Sequence, residues 1–240
     1  MKHIKKIIPL IKFIASLLLF FYSYLIQIIP IIIFNINTKT ASDTTLYALQ
    51  LFSSFFLALM LFLLYRKELI KEFKEFKNNF WDMADIAIKY WLIGMFVMAT
   101  SNILISIFSP IKIANNEADV QNIINQVPLI SFFLVAILAP INEELVFRKS
   151  IKNAIIEKWP YILTSGLLFG SLHVISQITS LYDYLYLIPY SSLGIAFAYT
   201  NYKTNNIFPS IFVHTLHNAT LTIFQILGIG MIIWKIHVLN

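Results

Sequence analysis

Runs of apolar residues long enough to cross a bilayer recur along this chain, and they limit its fold more than any other feature. Residues 46–65, for example, carry no charged side chain. A helix needs about 20 such residues to span the hydrocarbon core. Of the 240 residues, 58% are hydrophobic and only 12% are charged. One globular core cannot hide that much apolar surface, so lipid must cover part of it. The expected fold is all-α, a polytopic transmembrane bundle of 7–8 helices. Apolar patterning places helices near 10–34, 46–65, 86–109, 128–148, 160–180, 184–202 and 207–225. The stretch 226–234 either prolongs the seventh helix or turns back at Gly228 and Gly230 as a short eighth.

The charges between these runs give an orientation. Arg66, Lys67, Lys71, Lys74 and Lys77 follow the second run, Arg148, Lys149, Lys152 and Lys158 follow the fourth, and Lys203 follows the sixth. The intervening loops 35–45 and 110–127 hold one lysine each, Lys39 and Lys112. Basic loops stay in the cytoplasm, so the N-terminus is expected inside. The net charge of +6 is spread between apolar runs rather than along one face, which argues against nucleic acid as a partner. Met1 to Lys6 followed by an apolar run resembles a signal peptide, but the run is too long for one and reads as a retained first helix. Segment 66–82 is amphipathic and reads as a helix lying on the inner leaflet. Trp81, Trp91 and Trp159 fall near span ends, as interfacial anchors do. The chain reads as one domain. It comprises N-terminal helices over 1–127, a core over 128–225 and an apolar tail over 226–240, with no internal repeat.

Ionisable residues within such spans are costly and usually serve a pathway or a reaction. The fourth span holds Pro140, then Glu143-Glu144-x-x-x-Arg148. Glu144 and Arg148, four apart, can pair on one helix face. Glu143 points about 100° away and is free to face a cavity, as a carboxylate that takes and returns protons must. The fifth span carries Phe169-x-x-x-His173 behind a Gly166-x-x-x-Gly170 pair suited to close helix packing. The seventh carries His214-x-x-x-Asn218, with His214 and Asn218 facing the same way. His217 lies about 60° to one side of His214 and either joins the site or faces a neighbouring helix. The composition includes no cysteine, which excludes disulfides, a thiol nucleophile and thiolate-bound zinc. The zinc helix His-Glu-x-x-His and the serine elbow Gly-x-Ser-x-Gly are both missing.

These three motifs, in this order and spacing, resemble the CAAX protease and bacteriocin-processing family of intramembrane proteases, also called the Abi family. The resemblance covers roughly residues 128–225 and includes Pro140 and the Pro209-Ser210 pair before the last motif. It implies a multi-helix bundle with a conical cavity open to the cytoplasm. By that resemblance Glu143 is the general base, and His173 helps hold the attacking water. His214 and Asn218 form the oxyanion site, while Glu144 and Arg148 order the first motif. No cofactor is expected. If the family's metalloprotease description holds instead, Glu143, His173 and His214 would hold zinc and leave a fourth position open.

The expected activity is that of an intramembrane endopeptidase cleaving near the cytoplasmic face of a bacterial cytoplasmic membrane. Its partners are the lipid bilayer and a peptide or small membrane-protein substrate, such as a bacteriocin or pheromone precursor or a leader-peptide remnant. The wealth of Ile, Lys, Asn and Phe resembles an AT-rich bacterial genome, and a bacterial source argues against prenylated substrates. Two rival readings are a catalytically silent membrane protein for bacteriocin immunity or sensor-kinase scaffolding, and a proton-coupled transporter relaying through Glu143 and His173.

Overall fold

A computed structural model describes residues 2–228, and all regular structure among them is helical. Helix α1 (Lys2–Tyr22) runs through a 3₁₀ turn, Ser23–Gln27, into the short α2 (Ile28–Ile33). Pro30 explains the tightening. It has no N–H to offer the carbonyl of Ile26, and its ring crowds that carbonyl. Helix α3 (Asp43–Asn78) begins at Ser42, whose hydroxyl accepts from the Thr45 amide at 3.3 Å as an N-cap. It breaks at Asn79, and α4 (Phe80–Phe108) leads away. After α5 (Asn115–Gln126) comes α6 (Pro128–Ala154), then α7 (Lys158–Ile175), a 3₁₀ turn at Leu181–Tyr186, α8 (Leu187–Thr204) and α9 (Phe208–Ile226).

The expected multi-pass helical membrane fold is what forms. Four helices, Ile7–Ile33, Asp43–Asn78, Phe80–Phe108 and Pro128–Ala154, are long and apolar enough to cross a membrane by length and composition. Helices α7, α8 and α9 are shorter and carry the polar and small residues of the interior, among them Ser165, Gly194, Asn201, His214 and His217. At the expected break α9 ends at Ile226, and Gly228 takes a positive φ of 73°. An eighth helix beyond it would lie outside the described residues.

Two segments differ from expectation. Residues 66–78 are the last turns of α3 rather than a separate interfacial helix. They pack Phe73 and Phe76 against Phe208, with ring centroids 5.2 and 6.1 Å apart. Loop 110–127 contains α5. Its Val120, Ile123 and Ile124 form a one-sided stripe, and Glu117 in its first turn suits the positive end of the helix dipole.

Cross-helix contacts fix the relative directions of the helices. Lys12 pairs with Glu68 at 2.5 Å, while Gln27 reaches Ser53 at 3.3 Å, so α1 and α3 are antiparallel. Asn142 meets Ser54 while Lys149 pairs with Glu72, so α3 and α6 are parallel. Gly166 abuts Ile195 and Gly170 abuts Ser191, so α7 and α8 are antiparallel and very close. The strongly basic connections therefore gather at one end, with the start of α1. The weakly charged segments 34–42, 109–127 and 176–186 gather at the other.

This arrangement makes orientation testable in a chain with no cysteine of its own. With basic loops held inside, a cysteine replacing Lys74 is expected to resist a membrane-impermeant thiol reagent in intact cells, and one replacing Asn116 to react. The opposite labelling pattern would reverse the orientation.

Candidate active site

The site is built where α6 departs from regular α-geometry. Within α6, Phe132–Leu138 and Glu144–Ser150 take wider π-helical turns on either side of Ala139–Glu143. Pro140 cannot donate in the normal register, and π-turns of this kind are common at functional sites. All seven residues of the second stretch are buried.

Glu144 and Arg148 are fully buried, with Arg148 Nη1 3.1 Å from Glu144 Oε1. Arg148 Nη2 donates to the Gly194 carbonyl at 3.2 Å. The guanidinium lies 4.3 Å over the Phe169 ring and 5.5 Å from that of Phe197. The other carboxylate oxygen of Glu144 accepts from Ser210 Oγ at 2.5 Å, and Oε1 lies 2.8 Å from His214 Nδ1. Glu144 thus ties α6 to α9 directly and to α8 through Arg148.

These contacts fix the histidine tautomers. A carboxylate paired with arginine can only accept, so His214 Nδ1 carries the proton and leaves the Nε2 lone pair free. His173 Nδ1 lies 2.8 Å from the Phe169 carbonyl, also an acceptor, and its Nε2 is left in the same state. Both Nε2 atoms face Glu143, whose Oε2 lies 3.7 Å from His214 and 4.0 Å from His173. These distances are too long for direct hydrogen bonds and suit one small bridging species. Aromatic packing holds both rings. His214 stacks on Phe197 at 4.6 Å, and His173 lies between Tyr190 at 5.0 Å and Phe169 at 4.4 Å.

Glu143, Phe169, His173, His214, His217 and Asn218 all line one cavity of about 1020 Å³. Glu144 and Arg148 stand behind its wall. Asn218 donates from Nδ2 to the Val135 carbonyl at 3.0 Å, so part of its donor capacity anchors α9 to the first π-stretch. His217 also lies edge-on to Trp91, with ring centroids 6.3 Å apart. Trp91 is thus an interior packing residue, whereas Trp81 and Trp159 are exposed.

Sequence reasoning gave no role to three contributors. Ser210 reads in the sequence only as connecting text, and Asn142 stands beside the glutamates without a signal of its own, although its amide ties α6 to Ser54 of α3. Tyr190 carried no local signal, because its stacking on His173 exists only once α7 and α8 pack.

The cavity is bounded by the end of α1, the first turns of α3, α5, the first half of α6 and the second half of α9. Its exposed lining residues include Tyr24, Gln50, Asp119 and Phe224. It therefore lies toward the weakly charged end of the bundle, away from the basic connections. The sequence implies cytoplasmic basic loops, and the family resemblance implies a cavity open to the cytoplasm. The chain places these features at opposite ends, so they do not hold together.

Residues 125–220 match the family described as type II CAAX prenyl endopeptidase Rce1-like. The putative membrane peptidase YdiL of Bacillus subtilis is 28% identical over 198 residues, covering 78% of this chain and 77% of that protein. The UPF0177 protein YxdF of Lactococcus lactis is 28% identical over 144 residues, or 58% and 76% of the two chains. The membrane-embedded CAAX protease MroQ of Staphylococcus aureus is 27% identical over 146 residues, or 57% and 56%. No solved structure matches. The family resemblance read from the three motifs is borne out, and the matched segment contains all of them. The likeness supports a membrane endopeptidase.

The Glu144 contacts predict a stability effect separable from chemistry. Glu144→Gln leaves Arg148 buried without its counter-charge, a change that typically costs roughly 3–5 kcal/mol. Thermal unfolding in detergent should show a clearly lowered midpoint for Glu144→Gln and a midpoint near the parent's for Glu143→Gln, whose carboxylate has no short partner. Equal midpoints for parent and Glu144→Gln would contradict the assignment.

Proposed function

We propose that this chain is an intramembrane endopeptidase in which Glu143 activates water for attack on a peptide bond. The observation carrying the proposal is the convergence of Glu143 Oε2 with the two Nε2 atoms, at 3.7 and 4.0 Å, in the wall of one large cavity. A water bridging these atoms donates to Glu143 and to one imidazole and turns a lone pair toward the substrate carbonyl. Glu143 removes the proton as the C–O bond forms. His173, held by Phe169 and Tyr190, orients that water.

The tautomers refine the role of His214. In its neutral state its Nε2 accepts rather than donates, so stabilising an oxyanion requires a second proton. Glu144 against Nδ1 is placed to stabilise that imidazolium, as the carboxylate of a catalytic triad does. In this reading the proton taken by Glu143 passes to His214 Nε2, which supports the oxyanion and then protonates the departing amine. Asn218 contributes the amide hydrogen not engaged by Val135.

A metal-assisted version has its own supporting observation. Both imidazoles donate Nδ1–H to a carboxylate or a carbonyl, the outer contact that metal-bound histidines make. Two imidazole nitrogens and one carboxylate are a suitable donor set for zinc. Glu143, His173 and His214 would hold it, although no group of three among the described residues is already drawn to ligand spacing. Zinc bound there would supply an acidified water and Lewis-acid polarisation of the carbonyl.

Taken with the positive-inside expectation, the position of the cavity moves the proposed cleavage from the cytoplasmic face to the outer half of the bacterial cytoplasmic membrane. The substrate in this proposal is a peptide or small membrane protein reaching that face.

Purified protein with a cleavable peptide tests both versions. Glu143→Gln is expected to abolish turnover. His214→Ala and Asn218→Ala should each lose on the order of 10²–10³ in rate, and His217→Ala much less. The glutamate reading predicts full activity after exhaustive chelation. Loss of activity with chelator, recovery with zinc and about one metal per chain by elemental analysis would replace it with the metal version. Glu143→Gln within threefold of the parent would remove Glu143 from both.

A further inference from the structure

The charged residues described in the cavity wall are all acidic. Among its described residues are three carboxylates, Glu117, Asp119 and Glu143, and neither lysine nor arginine. Gln121 is the hydrogen-bond partner of Glu117, and Gln177 that of Asp119 at 2.8 Å, so both carboxylates are held by neutral amides, and among the described residues neither pairs with a cation. Gln177 spends its N–H₂ group on Asp119, and its buried Oε1 has no partner. Asn142, only 3% exposed and adjacent to Glu143, spends its N–H₂ group on Ser54, and its buried Oδ1 is also unpartnered. The Nε2 lone pairs of His173 and His214 add two more acceptors. Buried acceptors without donors are costly, and a ligand rich in donors relieves that cost.

Resting on the endopeptidase reading above, we propose that the substrate is a cationic peptide segment bearing lysine or arginine. It enters past α5, with Glu117 and Asp119 as the residues that select it by charge. The segment's ammonium or guanidinium groups meet the α5 carboxylates at the mouth. Charges at the rim act mainly on encounter rate and on rejection of like-charged partners. Selection should therefore weaken with salt as screening sets in.

The test uses the full-length protein in detergent and two fluorescent probe peptides that share one apolar centre. One is flanked by lysines and the other by glutamates, and affinities are read at low and high salt. The lysine-flanked peptide is expected to bind at least about tenfold more tightly at low salt, with the gap narrowing at high salt. Glu117→Gln with Asp119→Asn keeps the amide contacts and should remove the preference while leaving the unfolding midpoint unchanged. Glu117→Lys with Asp119→Lys should invert it. Equal affinities, a preference for the glutamate-flanked peptide, no binding of either, or a preference unaffected by the α5 variants would each overturn the proposal. Binding needs no turnover. A preference seen without cleavage of any peptide would therefore count against the endopeptidase reading and leave charge selection standing.

Discussion

The carboxylate of Glu144 is the contact on which the rest of the site depends. It is fully buried, meets Arg148, Ser210 and His214, and through Arg148 reaches the backbone of α8 at Gly194. A lone charge in such a setting would be prohibitively costly. Pairing, hydrogen bonding and the aromatic faces of Phe169 and Phe197 offset that cost. The same contacts set the proton on His214 Nδ1, and so decide that Nε2 faces Glu143 as an acceptor. Structure and chemistry divide between adjacent residues: Glu144 is consumed by the fold, while Glu143 stays without a short partner at the cavity surface.

Much of this was legible in the sequence because it depends on local helical geometry. The four-residue spacing of Glu144 and Arg148 foretold their pairing, and that of Phe169 and His173 foretold their contact at 4.4 Å. The angular step between Glu143 and Glu144 foretold that one would face the cavity and the other the wall. What could not be read depends on packing between distant segments. Tyr190 meets His173 only because Gly166 and Gly170 let α8 lie against α7. Ser210 meets Glu144 only because α9 runs antiparallel to α6. The π-turns of α6 also change the register that ideal spacing assumes, although Pro140 marks where that begins.

The depth and direction of the cavity required the three-dimensional arrangement as well. Positive charge in alternate loops was visible, and so were the motifs, but nothing in their spacing told which end of the bundle the pocket faces. The directions of the helices, with α1 and α9 running against α3 and α6, place the pocket away from the basic end. Helix α5, read as loop because its polar residues outnumber its apolar ones, becomes part of the entrance. A peptide approaching from that end meets carboxylates and amides first and the histidines last. In the proposed reading this ordering lets selection precede chemistry.

Comparing the peptides released by cells carrying the intact chain with those from cells carrying Glu143→Gln, at matched protein levels, tests the central claim most directly. The account predicts that specific cleavage products disappear in the variant while their uncleaved precursor accumulates in the membrane fraction. Indistinguishable peptide profiles, with both proteins inserted and equally abundant, would contradict it.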